Sequence, residues 1–163
     1  MSMDELIAIL TLEPIEVNLF RGRSPAEERF RIFGGQVVAQ ALLAAYKTIE
    51  GRPCHSLQSY FIRPGDPNLP VLYQVEHSRD GRSFTTRRVI AIQKGVQIFN
   101  MACSFQLPET GFDHQSAMPP TSAPTELIEE RERLRAEFAD QPDNVHHWRG
   151  ELPIEMRAIQ PVD

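Results

Sequence analysis

Phe33-Gly34-Gly35-Gln36-Val37-Val38-Ala39-Gln40-Ala41-Leu42-Leu43-Ala44-Ala45-Tyr46-Lys47 is the stretch on which the reading of this chain turns. After the glycine pair it is rich in Ala and Leu, the strongest helix formers, and only Gln40 interrupts ten residues that are otherwise apolar on every face. A helix that is apolar all round is buried rather than laid on a surface. The sequence therefore predicts a central helix over residues 36–49, stopped at Glu50-Gly51, with Gly51 as its C-terminal cap and Pro53 preventing continuation. From Ser56 to Leu107 strand and hairpin patterns replace helix. The predicted class is α+β, with one antiparallel sheet wrapped around one long helix.

Working outward, Leu6, Ile7, Leu10 and Thr11 share one side of a short amphipathic helix over residues 4–12, started near Ser2 or Asp4 and ended by Pro14. Residues 15–20 alternate apolar and polar, as a first strand running into Arg21-Gly22-Arg23 would. The charged segment 24–32, with Pro25, reads as a surface loop. Beyond the helix, residues 56–62 form a strand broken by Arg63-Pro64-Gly65-Asp66-Pro67. Val71, Tyr73 and Val75 then mark a half-buried strand, Asp80-Gly81 a hairpin turn, residues 84–93 a second strand, Lys94-Gly95 a turn and residues 96–107 a third. These three make a meander.

Residues 108–124 change to Pro, Ser, Thr and Gly and read as a linker. Thr125 caps a predicted helix to about residue 139, with Glu129 and Arg133 as an i, i+4 pair and Leu127, Leu134 and Phe138 as a thin apolar stripe. Residues 153–159 read as the start of a further strand. The chain thus divides into one domain over 1–107 and a linker, charged helix and strand start over 108–163.

At 163 residues the chain is long enough for one core and short for two. Its 17 Lys and Arg against 22 Asp and Glu give a formal charge of −5, which offers no attraction to nucleic acid or anionic lipid. No apolar run of transmembrane length and no basic leader are present, so the expectation is a soluble, cytoplasmic protein without membrane insertion. Two cysteines, Cys54 and Cys103, are too few for a disulfide framework. His146-His147 lack companions at ligand spacing, so no metal is expected.

Five ordered motifs carry a resemblance. Leu19-Phe20-Arg21-Gly22, then residues 33–41, then the run from His55 to Gly65 (HSLQSYFIRPG), then Arg79-Asp80-Gly81-Arg82-Ser83-Phe84, then Ala102-Cys103-Ser104-Phe105-Gln106 resemble, collinearly from about residue 6 to 118, the N-terminal half of the acyl-CoA thioesterase II family. That family includes bacterial TesB and the peroxisomal thioesterases. The resemblance implies a hotdog fold, a fatty acyl-CoA substrate hydrolysed by direct attack of water, and no cofactor beyond the coenzyme A of the substrate. Family members are about twice as long, with two hotdog domains in tandem. The Asp, Ser or Thr, and Gln that activate water lie in the second, and no position here can inherit that Asp. A homo-oligomer, or a second hotdog domain, is the expected partner.

Thioester hydrolysis needs an activated water, donors aimed at the developing oxyanion and a groove for the acyl chain. His55 matches a histidine associated with activity in the family and suits a general base; the alternative is a structural hydrogen bond at a strand start. Gln106, by analogy with the catalytic Gln of the second domain, could orient water. Gly34, Gly35 and Gln36 stand at a helix N-terminus, whose free N–H groups suit a thioester carbonyl; a tight strand-to-helix turn is the alternative. Arg63 and Arg82 lie in loops where guanidinium groups could meet coenzyme A phosphates. A Cys54–His55 nucleophile is set aside, since strand neighbours point to opposite faces. A hotdog dehydratase would carry Asp and His at the helix entrance, where this chain reads Gly34-Gly35-Gln36.

Overall fold

In the computed structural model, which describes residues 2–25, 30–137 and 153–159, the first helix, α1 (Met3–Leu10), opens with a reciprocal cap. Ser2 N donates to Glu5 Oε2 at 2.6 Å while Glu5 N donates to Ser2 Oγ at 3.2 Å, which satisfies two orphan donors at once. The helix ends at Leu10, two residues short of the predicted bound, and the Thr11 hydroxyl turns back to Ile7 O. The chain forms two compact units, Ile7–Gly111 and a second made of Met1–Leu6 with Phe112–Asp163.

Within the first unit a six-stranded antiparallel sheet carries the core. Its strands are β1 (Glu13–Glu16), β2 (Leu19–Gly22), β3 (Cys54–Phe61), β4 (Val71–Asp80), β5 (Phe84–Gln93) and β6 (Val96–Gln106), in the spatial order β1-β2-β4-β5-β6-β3. The predicted meander is β4-β5-β6. The single strand expected over 15–20 is instead a hairpin, because Asn18 adopts φ 59°, a left-handed conformation that Asn tolerates, and turns the chain between β1 and β2. Pro14 sits in β1 at the sheet edge, where a missing N–H is harmless, and so does not itself stop α1.

The central helix, α2 (Gly34–Tyr46), takes the glycine pair into its first turn and stops three residues before the predicted end. Val37, Gln40, Ala41, Ala44 and Ala45 form its buried stripe, and the alanines let the helix lie close on Tyr73, Val89, Ala91, Met101 and Phe105. The prediction of burial on every face is corrected: Val38, Leu42 and Leu43 are only half-buried, since one sheet covers one side of a helix. Gly51, at φ +66°, turns the chain toward β3 rather than capping α2. The helix end is held by Arg87, which donates to Thr48 O, to Thr48 Oγ1 at 2.9 Å and to Asp80 Oδ1 at 2.6 Å. A cation there complements the helix dipole.

In the second unit, the helix expected over 125–139 is split. A single turn of 3-10 helix covers Pro124–Glu126, Leu127 is extended, and α3 (Glu130–Glu137) follows, with Arg133 bridging Glu130 and Glu137. Residues 153–159 form no strand: Glu130 N donates to Met156 O and Arg157 to Leu127 O, so their polar groups bond to the segment around α3 instead. Phe138, His146 and His147 lie outside the described residues.

Candidate functional site

Gly34 starts α2 at the mouth of a cleft of about 670 Å³, a volume suited to a small-molecule ligand. Ile32, Val37, Ile98 and Phe99 are buried along it, while Phe33 and Phe61, 66% and 59% exposed, stand at its opening. Arg31 and Arg63 also line it, and among the described residues no acidic side chain does. Gly34 N and Gly35 N donate to no described residue, so two amide donors of the first helical turn are unclaimed. The glycine pair serves as more than a turn. A Cβ on Gly34 would meet the Phe61 ring at 3.1 Å, and one on Gly35 would meet the Phe33 ring at 2.5 Å. Bare backbone is what lets both rings pack there.

Two glutamines one turn apart fix this helix start. Gln36 Nε2 donates to Arg23 O at 3.2 Å and to Ser24 Oγ at 3.0 Å. Gln40, 0% exposed, donates to Ile9 O at 2.6 Å and Arg23 O at 3.0 Å, and accepts from Tyr73 Oη at 2.7 Å. Burial raises the Tyr73 pKa. Gly22 leaves the room: a Cβ there would lie 2.5 Å from Gln40 Oε1.

The other predicted residues lie elsewhere. His55 is the extra residue of a bulge in β3, between Cys54 opposite Phe105 and Ser56 opposite Ser104. Its Nε2 lies 2.9 Å from Ser104 Oγ and its ring meets Phe84 edge-on at 5.8 Å. Ser104 and Gln106 alternate along β6 with Cys103 and Phe105 of the core, so they face away from α2. Gln106 Nε2 reaches Glu109 Oε2 at 3.5 Å. Exposed Arg82 lies in the β4–β5 loop, where its carbonyl accepts from Arg52. Gly34 touches Phe61, and His55 lies six residues back along β3, roughly 20 Å at strand spacing. Arg63 contacts Gln97 O at 2.8 Å, nine residues from Gln106, roughly 30 Å.

The seven candidates therefore fall into two groups: Gly34, Gly35, Gln36 and Arg63 at the start of α2, and His55, Gln106 and Arg82 at the opposite end of the sheet and, for His55 and Gln106, on its outer face. The bulge removes the alternation argument against a Cys54–His55 pair, but the side chains diverge. Cys54 packs on the core with its Sγ toward Ser56 O, whereas His55 is exposed. Sequence reasoning missed Arg31 and the cleft walls Phe33, Phe61 and Ile98. An arginine next to the apolar pair Ile32-Phe33, just before the glycines, was the available signal. No helix among the described residues is long and apolar enough to cross a membrane.

The six-stranded sheet with one helix across its inner face is a hot dog fold. It is shared, at a TM-score of 0.65 and 21% identity, with a conserved protein of unknown function with hot dog fold from Alicyclobacillus acidocaldarius, over 74% of this chain and 47% of that one. A closer likeness is to the acyl-CoA thioesterase II TesB2 of Mycobacterium marinum, 44% identical with a TM-score of 0.67 over 74% of this chain and 45% of that one. Acyl-coenzyme A thioesterase 8 of Homo sapiens is 42% identical across 94% of this chain and 51% of its own length. Residues 23–106 match the family model of the acyl-CoA thioesterase N-terminal domain. The chain belongs to the acyl-CoA thioesterase family, and it spans about half the length of the curated relatives it matches.

Proposed function

We infer that this chain is the substrate-holding half of an acyl-CoA hydrolase, which cleaves fatty acyl-CoA to free fatty acid and coenzyme A once a second hotdog unit pairs with it. The observation that carries this reading is the cleft at the start of α2, where the unclaimed Gly34 and Gly35 N–H groups stand over apolar walls. In this role the acyl chain lies along Val37, Ile98 and Phe99. The two N–H groups receive the thioester oxygen as charge develops on it, and Gln36 holds the turn that presents them.

The cleft opens beside β3, the last strand of the sheet, whose Leu57, Tyr60 and Phe61 are exposed. An unpaired apolar edge invites another strand. A partner added antiparallel there would bring its own far end, the equivalent of the His55 and Arg82 end, toward this cleft. Arg63, and Arg82 of a paired copy, then suit the phosphates of coenzyme A. The water-activating carboxylate comes from the partner hotdog unit, outside this chain, and His55 keeps the β3 bulge on β6 through Ser104.

A second reading has its own observation, the exposure of the His55–Ser104 pair: copies of this chain pair with one another and His55 serves as base, with Gln106 orienting water. The experiment is acyl-CoA binding to the 163-residue protein by calorimetry. Saturable binding that weakens about tenfold or more in Gly34→Val, about 1.4 kcal/mol, and stays within about threefold in His55→Ala supports the first reading. Binding indifferent to Gly34→Val sinks it. Cytoplasmic residence is proposed with it, tested by fractionating cells that express the protein.

A further inference from the structure

We propose that Gln93, at the end of β5, is a positioning residue for the cleft: it holds the β3–β4 loop against the cleft wall and so sets how strongly long acyl chains are bound relative to short ones. It rests on the reading that the cleft at the start of α2 receives the acyl chain. Val89, Ala91 and Gln93 alternate along β5 as buried residues. The first two are apolar, as the core side of a strand should be. The third is an amide that meets backbone instead of side chains. Its Oε1 accepts from Asp66 N at 2.9 Å, and its Nε2 donates to Asp66 O at 2.9 Å and to Leu69 O at 3.0 Å. Only one orientation of the amide meets a donor on one side and carbonyls on the other.

The loop depends on this outside partner. Residues 62–70 read IRPGDPNLP, and Pro64, Pro67 and Pro70 carry no N–H, which leaves the segment short of donors of its own. Gln93 fixes both backbone groups of Asp66, the residue after Gly65. Gly65 O in turn accepts from Ile32 N at 3.0 Å. A Cβ on Gly65 would come 2.8 Å from Ile32 Cδ1 and 3.2 Å from Ile98 Cδ1, so the bare backbone directly backs both side chains. Ile32 and Ile98 are buried walls of the cleft. Gln93 itself does not line the cleft; it acts through Asp66 and Gly65 on Ile32 and Ile98. A short acyl group ends near the Gly34 and Gly35 amides, whereas a long one runs on along the isoleucine walls. A slackened loop therefore weakens the binding of long chains and spares short ones.

The test is calorimetric binding of butanoyl-CoA and decanoyl-CoA to the 163-residue protein as wild type, Gln93→Met and Gln93→Asn, together with hydrogen exchange at the Ile32 amide without ligand. Methionine keeps the length of the side chain and removes its hydrogen bonds; asparagine keeps the amide but withdraws it by one carbon, out of reach of Asp66 and Leu69 together. The expected result in Gln93→Met is decanoyl-CoA binding about tenfold or more weaker, with butanoyl-CoA within about threefold of wild type. Ile32 exchange is expected to be about tenfold or more faster. Circular dichroism checks folding, and Gln93→Asn is read in place of a Gln93→Met that does not fold. A side chain that only stabilised the fold would move the two affinities together or not at all. An unchanged preference for decanoyl-CoA, equal losses for both thioesters, or Ile32 exchange at the wild-type rate overturns the proposal and leaves the acyl reading intact. Failure of both variants to fold assigns Gln93 to the fold alone and overturns it too. Wild-type protein that binds neither thioester defeats the acyl reading, and the proposal with it.

Discussion

Replacing Gln40 by leucine removes the amide that joins four parts of the first unit. In the folded protein this side chain is fully buried, bonded to Ile9 O at the end of α1, to Arg23 O beyond β2 and to Tyr73 Oη on β4. Leucine fills similar space but bonds to nothing. Arg23 O keeps its bond from Gln36, whereas Tyr73 Oη, on a residue with 0% exposure, and Ile9 O are left without their partner. Each buried polar group so stranded costs about 1–3 kcal/mol. The sum is about 2–6 kcal/mol, the lower half being favoured because Ile9 is only half-buried. Set against a total stability of roughly 5–15 kcal/mol, that lowers a urea midpoint by about 1–2 M at an m value near 2 kcal/mol per M. Tyr73→Phe removes the facing hydroxyl. If the network is real, the double variant costs less than the two singles added, by about 1 kcal/mol or more. Additivity to within about 0.5 kcal/mol, or a Gln40→Leu cost below that figure, would refute the reasoning.

Gly22→Ala places a Cβ 2.5 Å from Gln40 Oε1 and 2.9 Å from the Tyr73 ring, two side chains that cannot yield, and should cost about 1–3 kcal/mol by thermal melting; an unchanged melting temperature would show that the network gives way. Arg87, hydrogen-bonded to Asp80, holds that carboxyl below its ordinary value of 3.8. With the folded pKa below the unfolded one, the pair's contribution is present above about pH 4 and disappears as pH falls through the folded value. Asp80→Asn should therefore flatten the fall in urea midpoint below pH 4, and an equally steep fall would count against the pair. Burial pushes the Cys103 thiol up to about 12, which leaves roughly one thiolate in ten thousand at pH 8. Ellman's reagent should leave Cys103 unmodified in the native protein and modify both Cys54 and Cys103 in guanidinium, and rapid native modification of Cys103, read by peptide mass, would contradict this burial.

The helix and meander were legible because their signals are local and repeated. Ala and Leu run through residues 37–45, and the alternation at Val71, Tyr73 and Val75 has a period of two that only a strand satisfies. The β1–β2 hairpin was not legible, since its turn uses Asn18 without a following glycine and so lacks the usual hairpin signal. The early end of α2 escaped because it is set by Arg87, 41 positions after Tyr46 in the sequence, and tertiary hydrogen bonds leave no periodic trace. Half of the candidate site was readable: Gly34 and Arg63 do meet at one cleft. The position of His55 was not, because a bulge shifts a residue without any signature in the neighbouring letters. Phe33 and Phe61 form the cleft opening from opposite sides of the central helix in sequence, and only folding brings their rings onto the glycine pair.

The measurement that tests the account most directly is decanoyl-CoA hydrolysis, followed by thioester absorbance, for the 163-residue protein alone across a wide concentration range and for the same chain joined to the C-terminal half of the Homo sapiens relative. The account predicts background rates for the chain alone at every concentration, and turnover in the joined protein that Gly34→Val abolishes and His55→Ala leaves within a few-fold. Turnover by the chain alone that climbs faster than its concentration and vanishes in His55→Ala would contradict it, and would place the chemistry on His55 in a pair of identical chains.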